Sequence, residues 1–182
     1  MAVQRYVALL RGINVGGKNQ VSMADLRAAF ADAGFGDVAT YIQSGNVVFS
    51  ADKPASGLEG QVEQLMAQDF GVPVVVVVRS LQQVRTVVRA APPGFGQLPD
   101  EYHSDVVFLK RPLTPAAAMK VVRLRDGVDT VWQGNGVLYF ARLSERRTQS
   151  KLSQLMSTPE YQLMTIRNWR TTTKVLGLLE GA

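Results

Sequence analysis

The sequence predicts an α+β fold made of two βαββαβ halves, followed by one further helix at the C-terminal end. Strand-like and helix-like hydrophobic periodicities alternate in the order βαββαβ, and the same order returns in the second half of the chain. Each half contains a short Gly/Asn hairpin signal, at 44–46 and at 134–136. A Pro/Gly-rich stretch, 92–99, separates the two patterns. Together these observations predict two similar halves.

The first half begins with a strand and a capped helix. Residues 6–15, which begin with a short apolar run, are predicted to form the first strand. Ser22 and Asp25 form a capping box at the start of a helical pattern, and Gly34 follows the last periodic residue. We therefore expect the first helix between Ser22 and Gly34.

A hairpin, a second helix and a buried strand complete the first half. Strands are predicted at 38–43 and 47–50, around the turn. Ser56 and Glu59 form another capping box at the start of the second helix. The valine-rich run 74–79 lacks alternation, as expected for a strand that is buried on both faces.

The second half repeats the same order of elements. A strand is predicted at 105–110, and Thr114-Pro115 has the cap-then-proline signature that begins a helix, here over 115–125. Strands at 128–133 and 137–142 flank the Asn-Gly turn.

Three further elements are predicted near the C-terminal end. Residues 144–156 have a helical pattern, and 163–167 reads as a strand. Asn168 is a suitable cap for a final helix that ends at Leu179.

These elements predict a ferredoxin-like half at 1–79, a linker helix and loop at 80–103, and a second ferredoxin-like half with the C-terminal helix at 104–182. An internal duplication is predicted, with convergence on one plan as the alternative. An offset of 90 supports the duplication, because it aligns Thr40, Gln43 and Val47 with Thr130, Gln133 and Val137.

The composition excludes several classes of function. The 182 residues include no cysteine, so disulfides, thiolate metal sites and cysteine nucleophiles are excluded. No spaced carboxylate set suggests a metal, and we expect no cofactor. The apolar run before Arg11 is too short for a signal peptide, and the longest apolar run, 72–78, is too short to span a membrane. We expect a cytoplasmic protein with no membrane partner.

The most informative stretch, 11–19, closely approaches a phosphate-binding P-loop. Gly12, Gly17 and Lys18 fit the pattern GxxxxGK[ST], but Asn19 replaces the hydroxyl residue that binds Mg²⁺. The first helix begins only near Ser22, so its dipole cannot be assumed to point at this loop. We therefore expect a cationic, glycine-rich loop without nucleotide hydrolysis.

The expected sheet order 4-1-3-2 places this loop beside the 44–46 turn, because the end of the first strand is adjacent to the start of the third. Glycine backbone N–H groups and amide side chains at one sheet edge suit an anion. Turn formation alone is the simpler explanation for these residues. The predicted ligand-binding residues are Arg11, Asn14, Gly16, Gly17, Lys18, Ser44, Gly45 and Asn46.

A second cluster lies near the C-terminal end. Arg167 follows a predicted strand and can bind a carboxylate or phosphate in bidentate fashion, and Asn168 is the predicted cap. Both are added to the ligand-binding set, although the sequence cannot show whether Lys18 and Arg167 share a site.

An alternative function is nucleic-acid binding through a basic region. Between residues 142 and 174 there are seven basic residues and two acidic ones, which matches the whole net charge of +5. A solvated helix face is the plainer explanation. The residues predicted for this alternative are Arg142, Arg146, Arg147, Lys151, Arg170 and Lys174.

An enzyme is the third hypothesis, with Lys18 or Arg11 stabilising a developing negative charge. No general base is visible: His103, the single histidine, lies in a polar segment that we interpret as a surface loop. The catalytic residues, the reaction and the oligomeric state are left undetermined by the sequence. RNA-type stacking is poorly supported, with Tyr139 and Phe140 the nearest equivalents in the second half.

Three motifs resemble the bacterial domain-of-unknown-function family 1697. They are Arg-Gly-Ile-Asn-Val-Gly-Gly-Lys-Asn at 11–19, Tyr-Ile-Gln-Ser-Gly-Asn-Val-Val-Phe at 41–49 and Thr-Ile-Arg-Asn-Trp at 165–169. The resemblance covers nearly the whole chain and implies a small cytoplasmic α+β protein with ferredoxin-like halves. It implies no reaction, cofactor or partner, and it assigns no role to the predicted site residues.

Overall fold

The computed structural model describes residues 2–181 and contains two four-stranded antiparallel sheets, each with helices between its strands. Its elements are β1 (Gln4–Arg11), α1 (Met23–Asp32), β2 (Gly36–Tyr41), β3 (Asn46–Ala51), α2 (Ala55–Phe70), β4 (Val75–Ser80), α3 (Leu81–Arg89), β5 (Tyr102–Leu109), α4 (Pro115–Val121), β6 (Asp129–Gln133), β7 (Val137–Leu143), α5 (Leu152–Leu155), β8 (Met164–Asn168) and α6 (Trp169–Glu180). Two 3₁₀ segments, Ser144–Gln149 and Pro159–Leu163, flank α5. The predicted α+β class with a C-terminal helix is confirmed.

The chain divides into two compact units. The first contains the residues up to Arg85 together with those from Lys174 onward, and the second contains Thr86–Thr173. The end of α6 therefore groups with the first unit, where Arg85 Nη2 pairs with Glu180 Oε1 at 2.9 Å. The sequence placed that segment in the second half, because periodicity shows where a helix lies but not which strands it packs against.

The first sheet has the strand order β2-β3-β1-β4, which is the predicted order 4-1-3-2. One face of this sheet packs against α1 and α2. The core between them contains alternate residues of β1 and β3, such as Leu10 and Phe49, and apolar residues of both helices, such as Phe30 and Met66. This packing fixes the loop after β1 beside the turn between β2 and β3, because β1 and β3 are antiparallel neighbours.

The second sheet has the equivalent order, β6-β7-β5-β8. Its core contains Val107 from β5 and Phe140 from β7, and it includes Leu152 and Leu155 from the short helix α5. The two units thus share a strand order, which is consistent with repeated halves.

The residue alignment at an offset of 90 is wrong in register. Val47 lies in the helix-side core of the first unit, whereas Leu138 and Phe140 occupy that core in the second unit. Val137 therefore faces the opposite side of its sheet, since a shift of one residue reverses the faces of a strand. The duplication remains a hypothesis that rests on strand order.

Two predicted helices are shorter than their patterns suggest. Helix α4 ends at Val121, because Val122 is extended (φ −69°, ψ 130°) and β-branched residues favour that region. The pattern over 144–156 is broken at Ser150, whose ψ of 144° is not helical and whose Oγ accepts a hydrogen bond from the Leu152 N–H at 3.2 Å. Such a local bond competes with helix formation.

Candidate functional site

The cationic, glycine-rich loop predicted to bind an anion is a small exposed hairpin. The Lys18 N–H donates to the Val15 carbonyl at 3.1 Å, and the Asn14 N–H donates to the Asn19 carbonyl at 3.1 Å. Gly16 and Gly17 both have positive φ, 58° and 73°, which is the requirement of a type I′ turn. The near-match to a P-loop therefore reflects tight-turn chemistry, and β1 ends at Arg11 instead of the predicted residue 15.

The side chain of Asn14 connects this hairpin to the rest of the first unit through hydrogen bonds. Its Oδ1 accepts a hydrogen bond from the Val21 N–H at 2.7 Å. Its Nδ2 donates to the Val21 carbonyl at 2.9 Å and to the Gln43 carbonyl at 2.9 Å. Both N–H groups of the amide are thus used within the protein, and the hairpin is joined to the turn between β2 and β3.

Residues 44–46, which were predicted to bind a ligand, form part of the turn between β2 and β3. Gly45 has a φ of 86°, and a Cβ there would lie 2.9 Å from the Leu10 Cβ, so no other residue fits. Asn46 is fully buried, and its Nδ2 donates to the Tyr41 carbonyl at 3.0 Å and to the Ser44 Oγ at 3.2 Å. These side chains build the turn.

An open depression of about 760 Å³ lies beside the hairpin and the turn. Its lining comes from three segments that the hydrogen bonds of Asn14 bring together: the hairpin, the start of α1 and the β2–β3 turn. The lining residues are Asn14, Gly17, Gln20, Val21, Ser22, Met23, Ala24 and Gln43. Two of these, Asn14 and Gly17, were among the predicted site residues.

The start of α1 borders this depression. Ser22 is the N-cap, and its Oγ accepts from the Asp25 N–H at 3.4 Å. The N–H groups of Met23 and Ala24 are in the first turn, where an α-helix provides no intrahelical acceptor. The helix N-terminus therefore borders the same space as Gly17, which the spacing in the sequence alone did not establish.

The cations predicted for this site differ in exposure. Lys18 is exposed and directly follows Gly17, whereas Arg11 is half-buried at the end of β1. Sequence reasoning missed Gln20, which directly follows the 11–19 motif, and Gln43, which lies within the 41–49 motif. Their polar side chains beside a turn and a helix cap were the signal that could have found them.

Arg167 and Asn168 lie in the second unit and have local structural partners. Arg167 is buried, and its Nη1 donates to the Thr165 Oγ1 at 3.0 Å and to the Ile166 carbonyl at 2.9 Å. Burial lowers the pKa of its guanidinium to about 10. Asn168 caps α6, since its Oδ1 accepts from the Thr171 N–H at 2.7 Å.

The basic residues predicted to bind nucleic acid differ in their local contacts and in their exposure. Arg142 Nη2 pairs with the buried Asp105 Oδ2 at 2.7 Å, and Arg146 Nη2 donates to Gln149 Oε1 at 3.0 Å. Lys151 is half-buried, and Lys174 groups with the first unit. Arg147 and Arg170 are exposed.

His103 lies in a strand and not in the predicted surface loop. The two aromatic residues considered for RNA stacking are buried. His103 belongs to strand β5 and not to a loop, and its Nε2 lies 3.4 Å from Asp105 Oδ1. Tyr139 and Phe140 are each only 1% exposed, so neither presents a ring face on which a base could stack.

Across residues 2–181, no group of three or more His, Cys, Asp or Glu side chains is placed to hold a metal ion. In the same part of the chain, no helix is both long and apolar enough to cross a membrane.

Comparison with known proteins identifies a family and a solved structure that is similar to this chain. The structure of a conserved bacterial protein, SP0830 from Streptococcus pneumoniae, is similar to this chain at 28% sequence identity with a TM-score of 0.84, over 98% of this chain and 99% of the other. No curated protein is significantly similar. A family model described as a protein of unknown function, DUF1697, matches residues 3–139. Because that match covers well over half of the sequence, the chain belongs to the DUF1697 family.

Proposed function

We propose that this protein binds a phosphorylated or otherwise anionic small molecule in the depression beside the 14–19 hairpin. The observation that supports the proposal is the shared lining: Gly17 of the hairpin, Gln43 of the turn and the first residues of α1 surround one open space. Each of these segments offers groups that donate hydrogen bonds, and an anion accepts them.

Backbone and side-chain donors have different roles in this proposal. The N–H groups of Met23 and Ala24 carry the partial positive charge of a helix N-terminus, which favours a negative ligand. Gly17 has no side chain, so a ligand can approach its backbone closely. Gln20 and Gln43 supply amide N–H groups. Asn14 shapes the site and does not contact the ligand, because both of its N–H groups are already used.

Lys18 supplies the charge. It follows Gly17 directly and is exposed, so its flexible side chain can reach over the depression. Arg167 is not included in this site, since its guanidinium is buried among residues of β8 in the second unit. The ligand set is therefore smaller than the sequence predicted.

Isothermal titration calorimetry with inorganic phosphate and with glycerol phosphate tests the proposal. The Lys18→Ala variant should bind each probe about tenfold more weakly, because a charge-assisted hydrogen bond contributes about 1.5 kcal/mol. The matched control is Lys120→Ala, which removes an exposed lysine from α4 in the second unit and should leave affinity unchanged.

Equal affinity in Lys18→Ala and in the native protein would contradict the assignment of Lys18. Absence of binding by the native protein would contradict the site as a whole. A short oligonucleotide run in parallel examines the nucleic-acid alternative, whose affinity would fall steeply with rising salt.

A further inference from the structure

Strand β4 lies at the edge of the first sheet, and its sequence favours pairing with another β-strand. Residues 74–78 are five consecutive valines without a charge or a proline. Runs of this kind have high β-propensity, and an edge strand presents unpaired N–H and C=O groups to other chains. An uncovered β4 would therefore be a ready template for a second copy of this chain.

Two glutamates of α2 accept hydrogen bonds from two of the outward N–H groups of this edge. The Val76 N–H donates to Glu63 Oε1 at 3.0 Å, and the Val78 N–H donates to Glu59 Oε1 at 3.0 Å. The spacing of the two glutamates along α2 matches the spacing of the two valines along β4. Four helical residues advance about 6 Å, and two strand residues advance about 6.6 Å. One turn of α2 thus fits alternate residues of β4.

Arg79 covers the remaining outward group at Val78. Its Nη1 donates to the Val78 carbonyl at 2.9 Å and lies 3.7 Å from Glu59 Oε1. The side chains of Arg79 and Glu59 are only 12% and 15% exposed, so this pair is shielded from competing water. Both backbone groups of Val78 are consequently bonded to side chains.

We infer that Glu59, Glu63 and Arg79 form an edge latch, which closes β4 against strand addition by a second copy of the chain. When the latch is removed, two β4 strands can pair antiparallel about Val77. Val76 of one copy then faces Val78 of the other, because these are the residues whose N–H groups point outward. The pairing is isologous and forms a closed dimer.

The test compares Glu59→Ala/Glu63→Ala with Glu59→Gln/Glu63→Gln, since glutamine keeps a carbonyl oxygen that accepts the same hydrogen bonds. Circular dichroism verifies that both variants are folded, and light scattering measures mass up to millimolar concentration. We expect the alanine variant to have twice the mass of the native protein and the glutamine variant to match it. Equal masses for all three folded proteins would overturn the inference.

A cysteine crosslink identifies the strand that pairs. The chain has no cysteine, so Val77→Cys introduces a single thiol. Residues at a non-hydrogen-bonded antiparallel position are about 4.5 Å apart at Cα, within the range of a disulfide. A disulfide dimer should form with Val77→Cys in the alanine background and not in the native background. Dimerisation of the alanine variant without this crosslink would overturn the inference.

Hydrogen exchange of the native protein tests the latch without relying on a variant that folds. The amides of Val76 and Val78 should exchange slowly although β4 is an edge strand, because both are hydrogen-bonded to glutamates. Exchange of both amides at the rate of unprotected peptides would overturn the inference.

Discussion

At the scale of single residues, Asn14 is the position on which the candidate site depends most. Three hydrogen bonds join its amide to the backbone of Val21 and Gln43, and its φ of 54° lies in the left-handed region that asparagine tolerates. The sequence identified Asn14 but assigned it to the ligand. The motif contained no sign that its donors would be consumed by residues seven and twenty-nine positions away.

Replacing Asn14 with alanine should lower the free energy of unfolding by about 2 kcal/mol, because the buried backbone groups of Val21 lose their partners. Urea denaturation of the variant and the native protein measures this difference. Gly16→Ala is a control in the same hairpin, since its positive φ strains an alanine while nothing lies within 4 Å of the added Cβ. A loss for Asn14→Ala no larger than that of Gly16→Ala would contradict the role given to Asn14.

At the scale of elements, three of the predicted helix caps are present, whereas the capping box expected at Ser56 and Glu59 is wrong. Helix α2 begins at Ala55 without a side-chain cap, because Glu59 Oε1 instead accepts a hydrogen bond from the Val78 N–H. Ser22, Thr114 and Asn168 all cap helices through the side-chain oxygens that the sequence indicated. A cap is a local bond between residues close in sequence, so a short motif specifies it. The ends of α4 and of the 144–156 segment depend on competition between helical and extended backbone, which a periodic pattern does not resolve.

Asn168→Ala should destabilise the start of α6 and lower the unfolding free energy by about 1 kcal/mol, the usual contribution of an N-cap. Hydrogen exchange should show faster exchange at the Thr171 amide, which loses its acceptor. Asn168→Asp keeps a side-chain acceptor and should restore slow exchange. An unchanged Thr171 amide in Asn168→Ala would show that this cap does not hold the helix.

At the scale of the whole molecule, the fold class and the strand orders follow from hydrophobic patterns. The assembly of the depression from three separate segments does not. The depression exists because β1 and β3 are neighbours and because Asn14 joins their loops, both of which are long-range relations. The grouping of the end of α6 with the first unit is another such relation. A single sequence records which residues are apolar, but not which distant partners they find.

The pH dependence of stability is also a property of the whole molecule. Burial raises the pKa of Tyr139, whose O–H donates to the Val87 carbonyl at 2.6 Å. The folded state thus keeps its proton at pH values where the unfolded state loses it, so stability falls as pH rises above about 10. Arg167 acts in the opposite direction, because its pKa in the folded state is lowered to about 10.

In the Tyr139→Phe variant, the free energy of unfolding should decline less steeply above about pH 10 than in the native protein. Urea denaturation at stepped pH measures this decline, and an equal decline in both proteins would contradict the role given to Tyr139.

Anion binding in the depression is tested most directly by an NMR titration of the native, isotope-labelled protein with inorganic phosphate. We predict saturable shifts of the amides of Gly17, Met23 and Ala24, and of the side-chain amides of Gln20 and Gln43, with little change elsewhere in the first unit. Shifts confined to exposed cations distant from the depression, or no saturable shifts at all, would contradict the claim that this depression binds anions.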